Sequence, residues 1–240
     1  MKNCYCRFVT AFLALILTCS CSKLEIDRGA MATGELPFVP LLADSGPALV
    51  LNGVPIEDEE IRIIALQQEK ETVDEFMRKH HAVVGEGFWE HSFEGEVPIE
   101  HLEKWTVYRM VWTRLAQEMS VEQGLRDAFG LADKQTMMEE ENRVRLEMKE
   151  KGETVYGPEQ YTLAEFYPID EQSLELALIQ TLESKEILRD EGRGRDRRIN
   201  RIERMKMAFR QLIEQEMSSC EVKVNRTALR DLIQPSEAVE

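Results

Sequence analysis

Ala48-Leu49-Val50-Leu51-Asn52-Gly53-Val54-Pro55-Ile56-Glu57-Asp58-Glu59-Glu60 is the stretch whose reading decides the fold. Leu49 to Leu51 is short, apolar and β-branched in part, as a strand requires. Asn52-Gly53 follows, and this pair accepts the positive φ of a tight hairpin turn. Val54-Pro55-Ile56 leads out of the turn, and from Glu57 the chain turns acidic, which suits a helix N-terminus. A strand this short is not stable alone. Its partner has to be sought elsewhere in the chain.

The partner is expected near the other end. Cys220, Val222 and Val224 alternate with Glu221 and Lys223, a period of two. Between these strands the periodicity is helical. A first helix is expected from Glu57 to about His80, with Ile63, Leu66, Val73, Phe76 and Met77 on one face. Residues 84 to 98 read as a loop with three glycines and the aromatics Phe88, Trp89 and Phe93. After Pro98, Leu102, Trp105, Tyr108, Trp112, Leu115 and Met119 recur at steps of three and four. Val107, Met110 and Val111 widen that stripe, so the helix is expected at the centre, buried on two sides.

Residues 121 to 151 read as further helix broken near Gly130, with Met138 to Lys151 a solvated arm. Thr162 and Glu165 make a capping box ahead of a fourth helix, which Pro168 should kink or delay. A charged break at Arg189 to Arg198 precedes a fifth helix carrying Ile199, Ile202, Met205, Phe209, Leu212 and Ile213. The expected architecture is a mainly α domain, residues 47–228, closed by a small two-stranded sheet that pairs its N- and C-terminal strands. Residues 22–46, with Gly29, Gly34, Pro37, Pro40 and Gly46, read as a flexible tether, and 229–240 as a frayed tail.

The segment from Val50 to Glu60 resembles the opening of the SurA/PrsA type of exported chaperone. Phe88-Trp89, Gly95-Glu96-Val97-Pro98, Glu141-Asn142 and Tyr156-Gly157-Pro158-Glu159-Gln160-Tyr161 resemble a bacterial subgroup of SurA-N-like lipoproteins. Each motif is structural and weak alone; their order over roughly residues 48 to 226 carries the resemblance. It implies a SurA-N-like helical chaperone domain. One departure matters. Prolyl isomerase members insert a parvulin domain before the returning helix, and here only the Arg189–Arg198 break stands in that place. The resemblance therefore implies the chaperone module without the enzyme: a holder of unfolded or extended polypeptides that uses no ATP and no cofactor.

The N-terminus suggests where such a module would work. Lys2 and Arg7 precede an apolar run, Phe8 to Leu17, and then Thr18-Cys19-Ser20-Cys21. Residues 1–21 thus have the form of a bacterial secretory signal. The run is short of the roughly 20 residues a membrane span takes. The cysteines resemble a lipoprotein signal, with Cys21 the first choice for lipidation and Cys19 the second; plain cleavage and a retained anchor are the alternatives. Each places the protein in the bacterial cell envelope, at the periplasm or outer surface, and lipid would supply the membrane attachment. Loss of Lys2 and Arg7 takes the net charge from −15 to −17. That balance repels nucleic acid; polypeptide clients are the partners the resemblance implies, with one dedicated envelope protein as the alternative.

Candidate chemistry is sparse. Four of the five cysteines lie in the first 21 residues, and Cys220 alone remains beyond them, so no disulfide framework or cysteine metal site is expected. His80, His81, His91 and His101 fall close together among Glu86, Glu90, Glu94 and Glu96, but without metal-binding spacing. The eleven methionines suit helix interfaces or adaptable surfaces. No nucleophile elbow or phosphate loop occurs, and no catalytic residue is expected. The resemblance implies a groove between helices that holds extended apolar segments, and Phe88, Trp89 and Phe93, as loop aromatics, are the candidate substrate-binding side chains lining it.

Overall fold

The computed structural model describes residues 35–188 and 201–235. The two strands read from the sequence pair as expected. Strand β2, Leu49–Leu51, runs antiparallel to β4, Val222–Val224, with Leu49 opposite Val224, Val50 opposite Lys223 and Leu51 opposite Val222. Leu49, Leu51, Val222 and Val224 are buried, while Lys223 faces water. Asn52 and Gly53 both adopt positive φ, 49° and 82°, and turn the chain into β3, Val54–Pro55. Asn52 also clamps the far end of the domain. Its backbone N–H donates to the Glu221 carbonyl at 2.8 Å, and its side-chain oxygen accepts from the Glu221 N–H at 2.9 Å.

The sheet has four strands, not two. Its order is β1-β4-β2-β3, where β1 is Leu41–Leu42, parallel to β4. The glycine and proline content that suggested a tether through residue 46 does not prevent residues 36–46 from joining the domain. Phe38 is buried, and the Ala43 N–H donates to the Val224 carbonyl at 2.9 Å. A strand flanked by another on only one side leaves hydrogen-bonding groups unmatched, and β1 supplies the second partner for β4. The rest of the expected tether, 22–34, and the signal-like residues 1–21 lie outside the described residues. Residues 229–233 of the expected frayed tail are part of the domain, and 236–240 lie outside the described residues. Helix α6, Arg226–Leu232, is capped by the Asn225 side chain, and Leu229 and Ile233 are buried.

Helix α1, Asp58–His80, opens on Asp58, Glu59 and Glu60 and closes on Arg78, Lys79 and His80, so both ends complement the helix dipole. Its inward stripe runs Glu60, Ile64, Gln68, Thr72, Phe76 at steps of four. Ile63 and Val73 are buried as expected, but Leu66 and Met77 are exposed, on the side of the helix turned away from that stripe. Helix α2, Pro98–Glu122, starts with proline at a position where the missing N–H has no helical partner anyway. It packs mainly on α1 and also on α4, Leu163–Ser184, and α5, Arg201–Met217. It is the central helix of the fold, as its wide apolar stripe indicated.

Helix α4 starts on time. Thr162 and Glu165 form the reciprocal capping box, and the helix continues through Pro168. Helix α5 buries Met205, Phe209, Ile213 and Met217, one residue per turn, so methionine serves this interface as core. Ile202 is exposed, and the charged break 189–198 lies outside the described residues.

Helix α3, Leu131–Glu150, belongs to two compact units. The larger unit holds Leu36–Glu140 and the chain from Tyr161 onward. The smaller one contains Glu141–Gln160. Within the smaller unit Arg145 donates to the carbonyls of Tyr156 and Pro158, which folds the loop back on its own helix, and Lys149 pairs with Glu159. Among the described residues no helix is long and apolar enough to cross a membrane.

Candidate functional site

The expected site lies in the connection between α1 and α2. Gly87, at φ 77°, admits a 3₁₀ turn over Phe88–Glu90. Glu94 and Gly95, both at positive φ, then make a tight reversal in which the Phe93 N–H donates to Glu96 O at 2.8 Å and the Glu96 N–H to Phe93 O at 2.9 Å. The loop is therefore built, and its aromatics turn inward. The Phe76 ring lies 6.1 Å from Phe88 and 5.6 Å from Phe93, edge on in both cases, and Phe88 lies 5.1 Å from Trp89. Such edge-to-face contacts stabilise by about 0.5–1.5 kcal/mol beyond burial.

This corrects the expectation that the trio lines an accessible groove. Phe88 and Trp89 keep only 3% and 8% of their surface, and Phe93 is half-buried. The loop is long and glycine-rich, but α1 and α2 would expose Phe76 between them if nothing covered it. The aromatics are that cover.

The four histidines divide by role. His80, buried beside Phe76 and Phe93, has Nε2 3.4 Å from Glu96 and Nδ1 3.5 Å from Glu94. His101 faces Glu75 at 3.5 Å. His81 is the left-handed C-cap of α1, and His91 packs its ring 4.5 Å from Phe93. Lys79 holds the Glu96 carboxyl below the usual carboxylate range, chiefly by hydrogen bonding. Among the described residues no group of three or more His, Cys, Asp or Glu side chains is arranged to hold a metal.

A second constellation was not anticipated. Glu60 is fully buried, and its carboxylate accepts from Tyr167 Oη at 2.6 Å and from Arg114. The Lys134 ammonium lies 3.5 Å over the Tyr167 ring and 3.4 Å from Asp170. Asp170 also takes two hydrogen bonds from Arg126. Next to it, Glu171 accepts from Thr113 and from Arg109. Burial pushes the Lys134 amine down, and burial with Glu171 and Glu60 nearby pushes the Tyr167 phenol up. A carboxylate cluster of this kind has the ingredients of acid–base chemistry, but space decides its use. The cavity beside it, lined by Arg109, Thr113, Gln117 and Glu171 among others, measures about 10 Å³, room for about one water. These charges join α1, α2, α3 and α4 to one another.

A sequence signal for this network does exist. Glu60 occupies a position on the four-residue stripe that continues through Ile64 and Phe76, and Asp170 and Glu171 interrupt the α4 stripe between Tyr167 and Leu174. Charges on an apolar stripe are rarely buried without partners.

Cys21 and Cys19 lie outside the described residues. Cys220 is half-buried, with its sulfur 3.8 Å from Asn52 Nδ2. Compared with protein-family profiles, curated proteins and solved structures, the chain matches none.

Proposed function

We propose that the protein is a membrane-anchored chaperone-like module of the bacterial envelope, with a SurA-N-like domain that holds unfolded or extended polypeptides without ATP and performs no catalysis. The observation that carries this reading is the strand closure. The Leu49–Leu51 strand and its Asn52-Gly53 turn, which open the segment resembling exported chaperones, pair with the strand that follows the last long helix. Between them the described residues hold the helices and no segment with the length of a parvulin domain. The signal-like residues 1–21 support export, and Cys21, or failing that Cys19, supports lipid attachment.

Burial of Phe88 and Trp89 moves client contact to other side chains. Leu66, Met77 and Val83 are exposed apolar groups on and just after α1. Leu66 and Met77 are eleven residues apart, three turns, and so share a face. Apolar contacts of this kind are weak, promiscuous and little affected by salt.

The test uses mature protein and several unrelated denatured clients. Aggregation should slow without ATP, and Leu66→Ser with Met77→Ser should weaken the effect while the fold persists. Turnover of a proline tetrapeptide would overturn the non-enzyme reading. Absence of any holding effect would favour one dedicated envelope partner. For the anchor, Cys21→Ala should release the protein from the membrane fraction or leave it uncleaved, and a variant still processed and bound points to Cys19.

A further inference from the structure

We propose that the first half of α3 and the loop before it form an arm latched to α4 by Asp170, and that this arm opens ahead of the rest of the domain, uncovering Tyr161 and Phe166.

The seat of the arm is small. Between residues 131 and 140 only Lys134 and Met138 are buried, with Met137 half-buried beside them. Met138 packs with Tyr161 and Phe166, and Leu163 and Ile169 border the cluster. Helix α2, by contrast, is buried on most of its circumference. Local opening draws on the regions with least buried apolar contact.

One carboxylate holds the arm at two points. Asp170 receives Arg126 from the loop in a forked pair and faces Lys134 from the helix. Both cations belong to the moving segment. When the arm leaves, Arg126 and Lys134 regain water together, and the buried Lys134 amine, which makes no hydrogen bond in the closed form, is relieved. Its burial disfavours the charged state, while Glu171, Asp170 and Glu60 favour it and Arg126 opposes it. The loop is bounded by Gly124 at φ 73° and Gly130 at φ 159°, conformations that other residues rarely adopt. A β-carbon at Gly124 would meet nothing within 4 Å, so the glycine serves backbone geometry there rather than close packing.

Hydrogen exchange read by mass spectrometry on the full chain tests this. Amides of 131–140 should exchange before those of α1 and α2. Asp170→Asn should accelerate 123–140 by at least about tenfold, the factor that corresponds to about 1.4 kcal/mol, and leave α2 nearly unchanged. Met138→Ala removes the apolar seat and keeps every charge, so it should give the same selective pattern if Asp170→Asn does not fold. Exchange of 131–140 in step with α2, or acceleration spread evenly over all helices in the variant that folds, overturns the proposal.

Discussion

Tyr167 donates its phenolic proton to Glu60 at 2.6 Å across 107 positions of sequence, and neither side chain touches solvent. The bond joins the first turn of α1 to the first turns of α4. Arg114, from the central helix, completes the site by pairing with the same carboxylate. Three helices are thereby fixed in register by one buried anion.

The two sides of this arrangement should respond differently to substitution. Tyr167→Phe removes one neutral donor and leaves the Glu60–Arg114 pair, so the loss should be about 1–2 kcal/mol. Glu60→Ala leaves the Arg114 guanidinium buried without its carboxylate, and the loss should be about 3–5 kcal/mol. Urea unfolding followed by circular dichroism measures both. A Glu60→Ala variant as stable as the parent would show that Arg114 reaches water easily and that the pair does not hold the helices.

The closing strand predicts a global effect from a local change. Val222 is fully buried opposite Leu51, and β4 lies between β1 and β2. Val222→Asp should cost several kcal/mol, because an unpaired charge is placed in the core. Lys223→Thr, on the exposed face of the same strand, should be close to neutral. An unchanged thermal midpoint for Val222→Asp would sink the account of the sheet as the closure of the domain.

Burial of the loop aromatics reverses what their sequence context suggested. Phe88→Ala and Trp89→Ala should each destabilise by about 3–5 kcal/mol. Phe93→Ala, at a half-buried position, should cost less. Were Phe88 and Trp89 a client groove, both variants would keep full stability and lose only binding. Thermal unfolding alone separates the cases.

The strands and long helices were legible because their signals are local. A two-residue period around Val222, an Asn-Gly turn, a capping box at Thr162 and a four-residue apolar stripe each fix backbone geometry within a few positions. What was not legible is set by neighbours distant in sequence. Leu41–Leu42 is a strand only because β4 offers it an edge. Leu66 and Phe76 are both apolar residues on one helix, yet the α1–α2 loop covers the second and leaves the first exposed. The Glu60 network escaped because its members are drawn from four helices and acquire meaning only when the helices pack. Cys19, Cys21 and the 189–198 break remain matters of sequence alone.

Alkaline conditions offer a test of the α2–α5 interface. Tyr108 is buried and its phenol is pushed up to about 12, first by burial, with Glu214 raising it and Arg210 opposing. Its hydroxyl donates to Glu214 at 3.2 Å. In the unfolded chain the phenol ionises near the usual value of about 10. Between these values the folded state keeps a proton that the unfolded state has lost, so stability falls as pH rises. The contribution is fully present below about pH 10 and is lost towards 12, amounting to at most about 3 kcal/mol. Tyr167 acts in the same sense, since its phenol is also raised. Lys134 acts in the opposite sense, because its folded-state amine releases its proton first and the unfolded chain then holds more protons. The Tyr108 share is isolated by difference. Tyr108→Phe should be somewhat less stable than the parent at pH 8, having lost the Glu214 bond, and the two should converge as pH approaches 11.5. Stability curves from denaturant unfolding that stay parallel across this range would show that Tyr108 ionises alike in both states and is not sealed at the interface.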